Sequence, residues 1–209
     1  IIVIYNGIAT KDIPCDMNRK PDSYPITFAN IGQFVPWKKQ IHFIEAAERI
    51  LQEDYNFQFL LIGDDIFGRD ETYKNDITSR VEQSPFAPNL QITGWRKDLS
   101  AHWPNISCLV HTASEEPFGR IIIEAMAHGV PVIAADSCGP AEIITNNKTG
   151  LLYPPDDRDA LVNAIKLISN NRQEANNLGH NGKQHVISHF RAEQTAGCIT
   201  KVYEALIAA

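Results

Sequence analysis

The sequence lacks the features that mark two large classes of protein. None of its apolar runs approaches the ~18 residues that a membrane-spanning helix needs. Its 19 lysine and arginine residues are outnumbered by 25 aspartate and glutamate residues, which gives a net charge of -6. Proteins that bind the phosphate backbone of nucleic acid are usually basic. We therefore expect no transmembrane segment and no nucleic-acid partner.

Cysteine is also scarce, and a common nucleotide-binding motif is absent. The four cysteines, Cys15, Cys108, Cys138 and Cys198, stand far apart and show neither the Cys-x-x-Cys nor the Cys/His spacing of zinc sites. We expect reduced, mostly buried thiols, no bound metal and no cofactor, although the spacing alone leaves a disulfide open. The pattern Gly-x-Gly-x-x-Gly occurs nowhere, which makes a dinucleotide-dependent oxidoreductase a poor interpretation.

Short apolar runs alternate with helical patterns along most of the chain. The expected strands are 26–31, 57–62, 90–93, 106–111, 130–134 and, more weakly, 151–153. The expected helices are 38–52, 70–83, 97–103, 119–128, 157–169, 173–188 and 192–207. Nearly continuous apolar strands suit a parallel sheet that is covered on both faces. The alternation predicts an α/β, Rossmann-like domain of three layers, with its ligand at the carboxyl ends of the strands.

The loop after the run 106–111 carries the most informative residues. Pro117 suits the start of a helix, and Gly119 lets a ligand approach the backbone. The first-turn amides of the helix that follows would form a phosphate site. Glu116 precedes this helix and Glu124 lies roughly 8 Å along its axis, so the two carboxylates suit the two ends of an extended ligand. The alternative is that Glu116 caps the helix and Glu124 lies on a solvated face.

Several segments follow one another in an order typical of one enzyme family. They read EPFG at 116–119, EAMAHGVPVIA at 124–134, CGPAEII at 138–144 and TGLLY at 149–153, preceded by IYNGI at 4–8, IGQFVPWK at 31–38, LIGD at 61–64 and ITGW at 92–95. This pattern resembles the donor-binding half of the retaining nucleotide-sugar glycosyltransferases, the glycosyl transferases group 1 of the glycogen-synthase and mannosyltransferase superfamily. The resemblance covers nearly the whole chain. It implies one half of a two-domain GT-B fold.

The resemblance also implies roles for individual residues. The catalytic residues would be Glu116, beside the donor sugar, and Lys38, which would stabilise the charge on the departing diphosphate. Glu124 would bind the ribose. The residues implied in donor binding are Gly32, Gln33, Gly94, Trp95, Phe118, Gly119, Arg120 and Glu124. The base would lie against the chain at 93–95, and we favour a packing role for the Trp95 side chain.

One position departs from the family pattern. The family usually has arginine where this chain has Gln33. A neutral amide replaces a charged, bidentate donor, and the loss of a charge-assisted hydrogen bond costs about 1.5–3 kcal/mol. We hypothesise that Arg120 or the second domain compensates. The alternative is a weak or altered catalyst.

Three other polar positions have ordinary structural interpretations. Asp64 and Asp65 follow a strand and are expected to cap a turn rather than to hold Mg²⁺. Asp157 is expected to cap a helix. His111, at a strand end close to the candidate site, either lines the donor pocket or is a core histidine.

The resemblance implies three segments and a function. Residues 1–24 are expected to be the exit strand and linker from an absent N-terminal domain, 25–190 the donor-binding domain, and 191–209 a C-terminal helix. The sequence begins as if cut from a longer one. The expected function is transfer of a sugar from a nucleotide-diphosphate carrier to an acceptor hydroxyl. The acceptor, a sugar or a lipid-linked sugar, would be held by the absent domain, and the fragment alone would bind nucleotide weakly and transfer nothing.

Several alternatives stay open on the sequence alone. They are a non-catalytic nucleotide-binding module, a sugar epimerase or phosphorylase of the same superfold, and, less well supported, a receiver-like signalling module centred on Asp64 and Asp65. We expect a cytoplasmic protein, with peripheral membrane contact through the absent domain as a second possibility.

Overall fold

A single parallel sheet organises the protein. The computed structural model describes residues 1–15, 25–54 and 56–208, and within these ranges the sheet has six strands in the order β3-β2-β1-β4-β5-β6. The strands are β1 (Ile26–Ile31), β2 (Phe57–Ile62), β3 (Leu90–Ile92), β4 (Cys108–His111), β5 (Val132–Ala135) and β6 (Leu151–Tyr153). The chain reverses its direction across the sheet between β1 and β4, which is the switch point where α/β sheets bind ligands.

Helices cover both faces of this sheet. They are α1 (Gln40–Leu51), α2 (Glu71–Gln83), α3 (Arg120–Ala127), α4 (Cys138–Ile143), α5 (Arg158–Asn170), α6 (Arg172–His189) and α7 (Ala192–Ile207), with short 3-10 helices at Thr10–Asp12, Pro36–Lys38 and Trp103–Asn105. None of the helices in the described ranges is long and apolar enough to cross a membrane.

The two faces of the sheet form separate apolar cores. Successive strand residues point to opposite faces, so Phe28 packs with Phe43 of α1 and Leu161 of α5. Its neighbour Ala29 packs on the other side, with Ile122 of α3. The expected three-layer, Rossmann-like architecture is therefore confirmed.

The sequence expectations about secondary structure are wrong at 97–103 and at 138–143. The segment 97–103 forms turns followed by the 3-10 helix Trp103–Asn105, not an α-helix. Pro104 lies within that short helix, and proline prevents a longer helix from continuing through the position. The second error is an omission, because the six-residue helix α4 was not expected.

The N-terminal segment packs on the junction between α6 and α7. The amide of Ile8 donates to Phe190 O at 2.8 Å, and the amide of Ala192 donates to Ile8 O at 2.9 Å. Residues 1–5 form no strand, contrary to expectation. The remainder of the expected linker, 16–24, lies outside the described residues.

The apolar face of α7 is exposed, as expected. No residue of this helix is buried within the part of the chain described, and its large apolar side chains face solvent. They are Ile199, Tyr203, Leu206 and Ile207. The division of the chain into 1–24, 25–190 and 191–209 stays a prediction.

Candidate functional site

Hydrogen bonds from polar side chains connect the loops that follow β1 and β4. The side-chain Nδ2 of Asn30, near the end of β1, donates to Val110 O at 2.8 Å and to Thr112 Oγ1 at 3.1 Å. The Thr112 hydroxyl donates in turn to Lys38 O at 2.8 Å. This chain of hydrogen bonds fixes the backbone that carries Lys38 against the end of β4.

A buried ion pair lies at this junction. Lys38 Nζ donates to Glu116 Oε2, and the two side chains are only 16% and 11% exposed. The same oxygen lies 3.2 Å from His111 Nε2. Burial alone would raise the pKa of Glu116, but the hydrogen bonds from His111 and Lys38, together with the positive charge of Lys38, lower it to about 2. Glu116 is therefore a firmly ionised carboxylate at neutral pH.

Helix α3 begins at Arg120, within one residue of the expected start at 119, and Pro117 lies in the loop before it. Gly119 is the N-cap, with φ 100° in the left-handed region that favours glycine. No side chain caps this helix, so the alternative role of Glu116 as a cap is wrong. The left-handed turn ends the loop just ahead of the helix, where the amides of Arg120 and Ile121 have no carbonyl one turn earlier in the helix to donate to.

Helix α4 supports the loop before α3 through a close backbone contact. The amide of Gly139 donates to Glu116 O at 3.0 Å. A Cβ atom at Gly139 would lie 2.3 Å from Phe118 O, so only glycine fits. The Phe118 ring stacks on Tyr5, with centroids 6.0 Å apart, and packs edge-on against Phe190. Because the ring is held in this cluster, Phe118 has only its backbone to offer a ligand.

An open cavity lies between the N-terminal segment, the loop after β3 and α3. Its volume is about 1160 Å³, and Trp95, Arg120 and Glu124 are among the residues that line it. Trp95 is 50% exposed, so the packing role favoured for its side chain is wrong. Gly94, at φ 72°, provides the turn that follows β3 and precedes Trp95.

The charges in this cavity are less tightly paired than those at Lys38. Arg120 is 74% exposed at its side chain and lies 3.6 Å from Glu124. Burial raises the pKa of Glu124, and Arg120 opposes that shift. A carboxylate in this setting benefits from new hydrogen-bond donors, such as the hydroxyls of a ligand.

Gly32 and Gln33 lie beside Lys38. The Gly32 amide continues the ladder by donating to Ile62 O at 3.0 Å, and a Cβ at Gly32 would lie 3.9 Å from Lys38 Cε. Gln33 accepts a hydrogen bond at its backbone oxygen from Gln40 Nε2 at 2.8 Å. The hypothesis that Arg120 compensates for Gln33 stays a prediction.

The acidic pair after β2 caps a turn, as expected. Asp65 accepts hydrogen bonds from the amides of Arg69 and Asp70, and Asp64 pairs with Lys74 at 2.6 Å. The described residues contain no cluster of three or more His, Cys, Asp or Glu side chains suited to a metal ion. Asp157 caps α5 by accepting from the amide of Ala160, also as expected.

The expectation of mostly buried cysteines is wrong. Cys108 is buried in β4, but Cys15, Cys138 and Cys198 are exposed. Cys138 begins the short helix α4, and Cys198 lies on α7.

Sequence reasoning missed two residues of the site, Asn30 and Thr112. Both were visible as polar residues where an apolar strand continues or ends, and a buried polar group needs a hydrogen-bond partner. The partners of Asn30 lie 80 and 82 positions further along the chain, so the spacing of residues did not reveal the contact.

The architecture is that of a Rossmann-like domain with a buried ion pair at the switch point of its sheet. Residues 17–185 match the sequence profile of the glycosyl transferases group 1. The chain therefore belongs to this family, and its fold corresponds to one half of the GT-B glycosyltransferases.

Individual relatives agree with this assignment. The capsular polysaccharide biosynthesis glycosyltransferase CapM of Staphylococcus aureus is 24% identical over 199 residues, which is 90% of this chain and 50% of CapM. The sucrose-phosphate synthase of Thermosynechococcus elongatus superimposes with a TM-score of 0.87 at 29% identity, covering 98% of this chain and 52% of that one. Anabaena HepE, solved in complex with UDP-glucose, superimposes with a TM-score of 0.86 at 23% identity over 98% of this chain and 57% of its own. The chain spans about half the length of the relatives it matches.

Proposed function

We propose that this chain is the donor-binding domain of a retaining glycosyltransferase that uses a nucleotide-diphosphate sugar. In the reaction, the bond between the anomeric carbon and the diphosphate oxygen breaks, and the nucleoside diphosphate leaves. A new bond forms from that carbon to an acceptor hydroxyl oxygen, whose proton passes to the departing diphosphate. The acceptor, a sugar or a lipid-linked sugar, would be held by a second domain of the complete protein.

One observation carries the proposal. Lys38 and Glu116 meet at the switch point of the sheet, and the loop that carries Glu116 leads directly into the first-turn amides of α3. Helix N-termini bind phosphate through their amides and their partial positive charge. An ammonium group beside them would stabilise the negative charge that develops on the diphosphate as its bond to the sugar breaks.

The cavity supplies a place for the nucleoside. Glu124 offers a half-buried carboxylate to ribose hydroxyls, and the exposed ring of Trp95 offers a face to a base. Stacking of a base on an aromatic ring contributes about 1–3 kcal/mol and tolerates different bases. Stacking on Trp95 would therefore not by itself select one base over another.

Calorimetry on the chain tests the proposal. We expect UDP, GDP or ADP to bind, with one base preferred. Glu124→Gln should weaken binding of that nucleotide by about tenfold, because a carboxylate hydrogen bond is lost. The same variant should leave inorganic pyrophosphate, which has no ribose, bound as in the wild type. Glu115→Gln, a matched change at an exposed neighbour of the site, is the control.

Two outcomes would contradict the proposal. The first is a chain that binds none of the three nucleotides at millimolar concentration. The second is equal weakening of nucleotide and pyrophosphate by Glu124→Gln. Sugar transfer by the complete protein, measured with the preferred nucleotide sugar, separates the transferase from a non-catalytic binding module and from an epimerase or phosphorylase.

A further inference from the structure

We propose that His111 is a positioning residue that holds Glu116 in place when a bound diphosphate draws Lys38 away. This inference rests on the proposed function, because it assumes that Lys38 receives the diphosphate. It starts from a single atom, Glu116 Oε2, which accepts hydrogen bonds from both Lys38 Nζ and His111 Nε2.

The surroundings of His111 leave its ring only one hydrogen bond. The residue ends β4 at the centre of the sheet and is 3% exposed. Nε2 lies 3.2 Å from Glu116 Oε2, and Nδ1 has no hydrogen-bond partner among the described residues. A buried core histidine usually satisfies both ring nitrogens. The position of this ring is therefore set by its contact with the carboxylate.

The protonation state of the ring fits a donor to an anion. Burial lowers the pKa of His111, and the positive charge of Lys38 lowers it further, against the opposing effect of Glu116. The imidazole is therefore neutral at neutral pH and carries one proton. An ionised carboxylate can only accept, so this proton lies on Nε2 and the Nδ1 lone pair faces the protein interior.

Ligand binding would change the partners of Glu116. A diphosphate that binds Lys38 Nζ competes with Glu116 for the same ammonium group. Once Lys38 turns to the phosphate, Glu116 is a buried carboxylate without its counter-charge, and an unpaired buried charge is costly. The Nε2–H of His111 is the hydrogen bond that Glu116 retains. It lowers the cost of releasing Lys38 and keeps the carboxylate fixed at its place beside the phosphate site.

A pair of nearly isosteric substitutions isolates this hydrogen bond. His111→Gln places an amide N–H near the position of Nε2, whereas His111→Met has a similar size and no donor. Each is made in the wild-type chain and in Glu116→Gln, where no buried anion needs the donor. Affinity for whichever of UDP, GDP and ADP binds best is measured by calorimetry for all six proteins.

The expected pattern depends on the background. In the wild-type chain, His111→Met should weaken nucleotide binding by about tenfold, the usual scale for a hydrogen bond to a charged group, and His111→Gln should restore most of it. In Glu116→Gln, His111→Met should have little effect. Equal weakening in both backgrounds, or equal weakening by Met and Gln, would show that His111 has only a packing role and would overturn the inference.

The outcomes separate this inference from the proposed function. If the wild-type chain binds none of the nucleotides, the proposed function fails and the inference fails with it. If His111→Met does not fold, NMR of the histidine ring nitrogens in the wild-type chain decides. A proton that stays on Nε2 in both the free and the nucleotide-bound chain supports the inference, and a doubly protonated ring or a proton on Nδ1 overturns it.

Discussion

Two regions at the carboxyl edge of the sheet are built in opposite ways. Around Lys38 and Glu116 the charges are buried, directly paired and held by hydrogen bonds from β1 and β4. Around Trp95 and Glu124 the side chains are half-exposed, the one ion pair is loose, and about 1160 Å³ of space is open.

This contrast matches the two parts of the proposed ligand. A diphosphate and a breaking sugar bond need charges at fixed positions, because electrostatic stabilisation depends on groups that are already oriented. A base and a ribose need shape, stacking and a few hydrogen bonds, which an open cavity can provide with little reorganisation.

A side chain added at Gly139, where α4 contacts the loop that carries Glu116, should cause the largest loss of stability. Gly139→Ala would place a Cβ 2.3 Å from Phe118 O, which is backbone and must shift. We expect the free energy of unfolding, measured with urea, to fall by about 3 kcal/mol, the upper range for overpacking. Gly197→Ala in α7 meets no atom within 4 Å and is the control. That control should stabilise the chain by up to about 1 kcal/mol through helix propensity.

The two glutamates should respond oppositely to pH. The pKa of Glu116 falls from 4.5 to about 2 on folding, so its contribution is fully present above about pH 5 and is lost as the pH falls towards 2. That contribution is of the order of 3 kcal/mol. Glu116→Gln should therefore destabilise the chain at neutral pH and flatten the loss of stability between about pH 5 and pH 2.

Glu124 provides the contrast within the same experiment. Its pKa is raised by burial, so its ionised form opposes folding and stability falls as the pH rises through its titration. Glu124→Gln should leave stability at neutral pH unchanged or slightly higher. If Glu116→Gln is as harmless as Glu124→Gln, the claimed difference between the two regions is wrong.

Removing the ammonium should weaken diphosphate binding. Lys38→Met deletes a charge-assisted contact worth about 2 kcal/mol, which corresponds to about a thirtyfold loss of affinity for the nucleoside diphosphate. Lys39→Met is the matched control, because Lys39 pairs with Asp156 at the surface. The control should stay within about twofold of the wild type, as exposed pairs contribute little. A comparable loss of affinity in both variants would show that Lys38 does not contact the diphosphate.

The smallest expected change in affinity comes from Arg120, which we hypothesise compensates for Gln33. If Arg120 compensates for the arginine that the family resemblance implies at position 33, Arg120→Ala should weaken nucleoside diphosphate binding by about fivefold, since its guanidinium is exposed and its contacts are screened. Arg49→Ala, which breaks the surface pair with Asp159, is the control. An unchanged affinity in Arg120→Ala refutes compensation.

The fold was largely predictable because its strands are strongly apolar. The runs 26–31, 57–62 and 151–153 coincide with β1, β2 and β6, and α7 has the predicted bounds. The failures have local causes. A short helix such as α4 presents too few residues for a period to show. The segment 97–103 runs directly into Pro104, which lies in the 3-10 helix found there.

The site was predictable as a set of residues but not as an arrangement. Glu116, Glu124 and Lys38 were found through the resemblance, whereas the pairing of Lys38 with Glu116 joins positions 78 residues apart. No local spacing encodes such a contact. The exposure of Trp95 was misjudged for the same reason, because burial depends on how loops meet in space rather than on the aromatic character of one residue.

A crystal structure of the chain with its preferred nucleoside diphosphate would show which groups hold the phosphates. We predict that the phosphates lie against the amides of Phe118, Gly119 and Arg120, with Lys38 Nζ turned from Glu116 towards a phosphate oxygen. A nucleotide bound elsewhere, with the Lys38–Glu116 pair intact and the start of α3 untouched, would contradict the account.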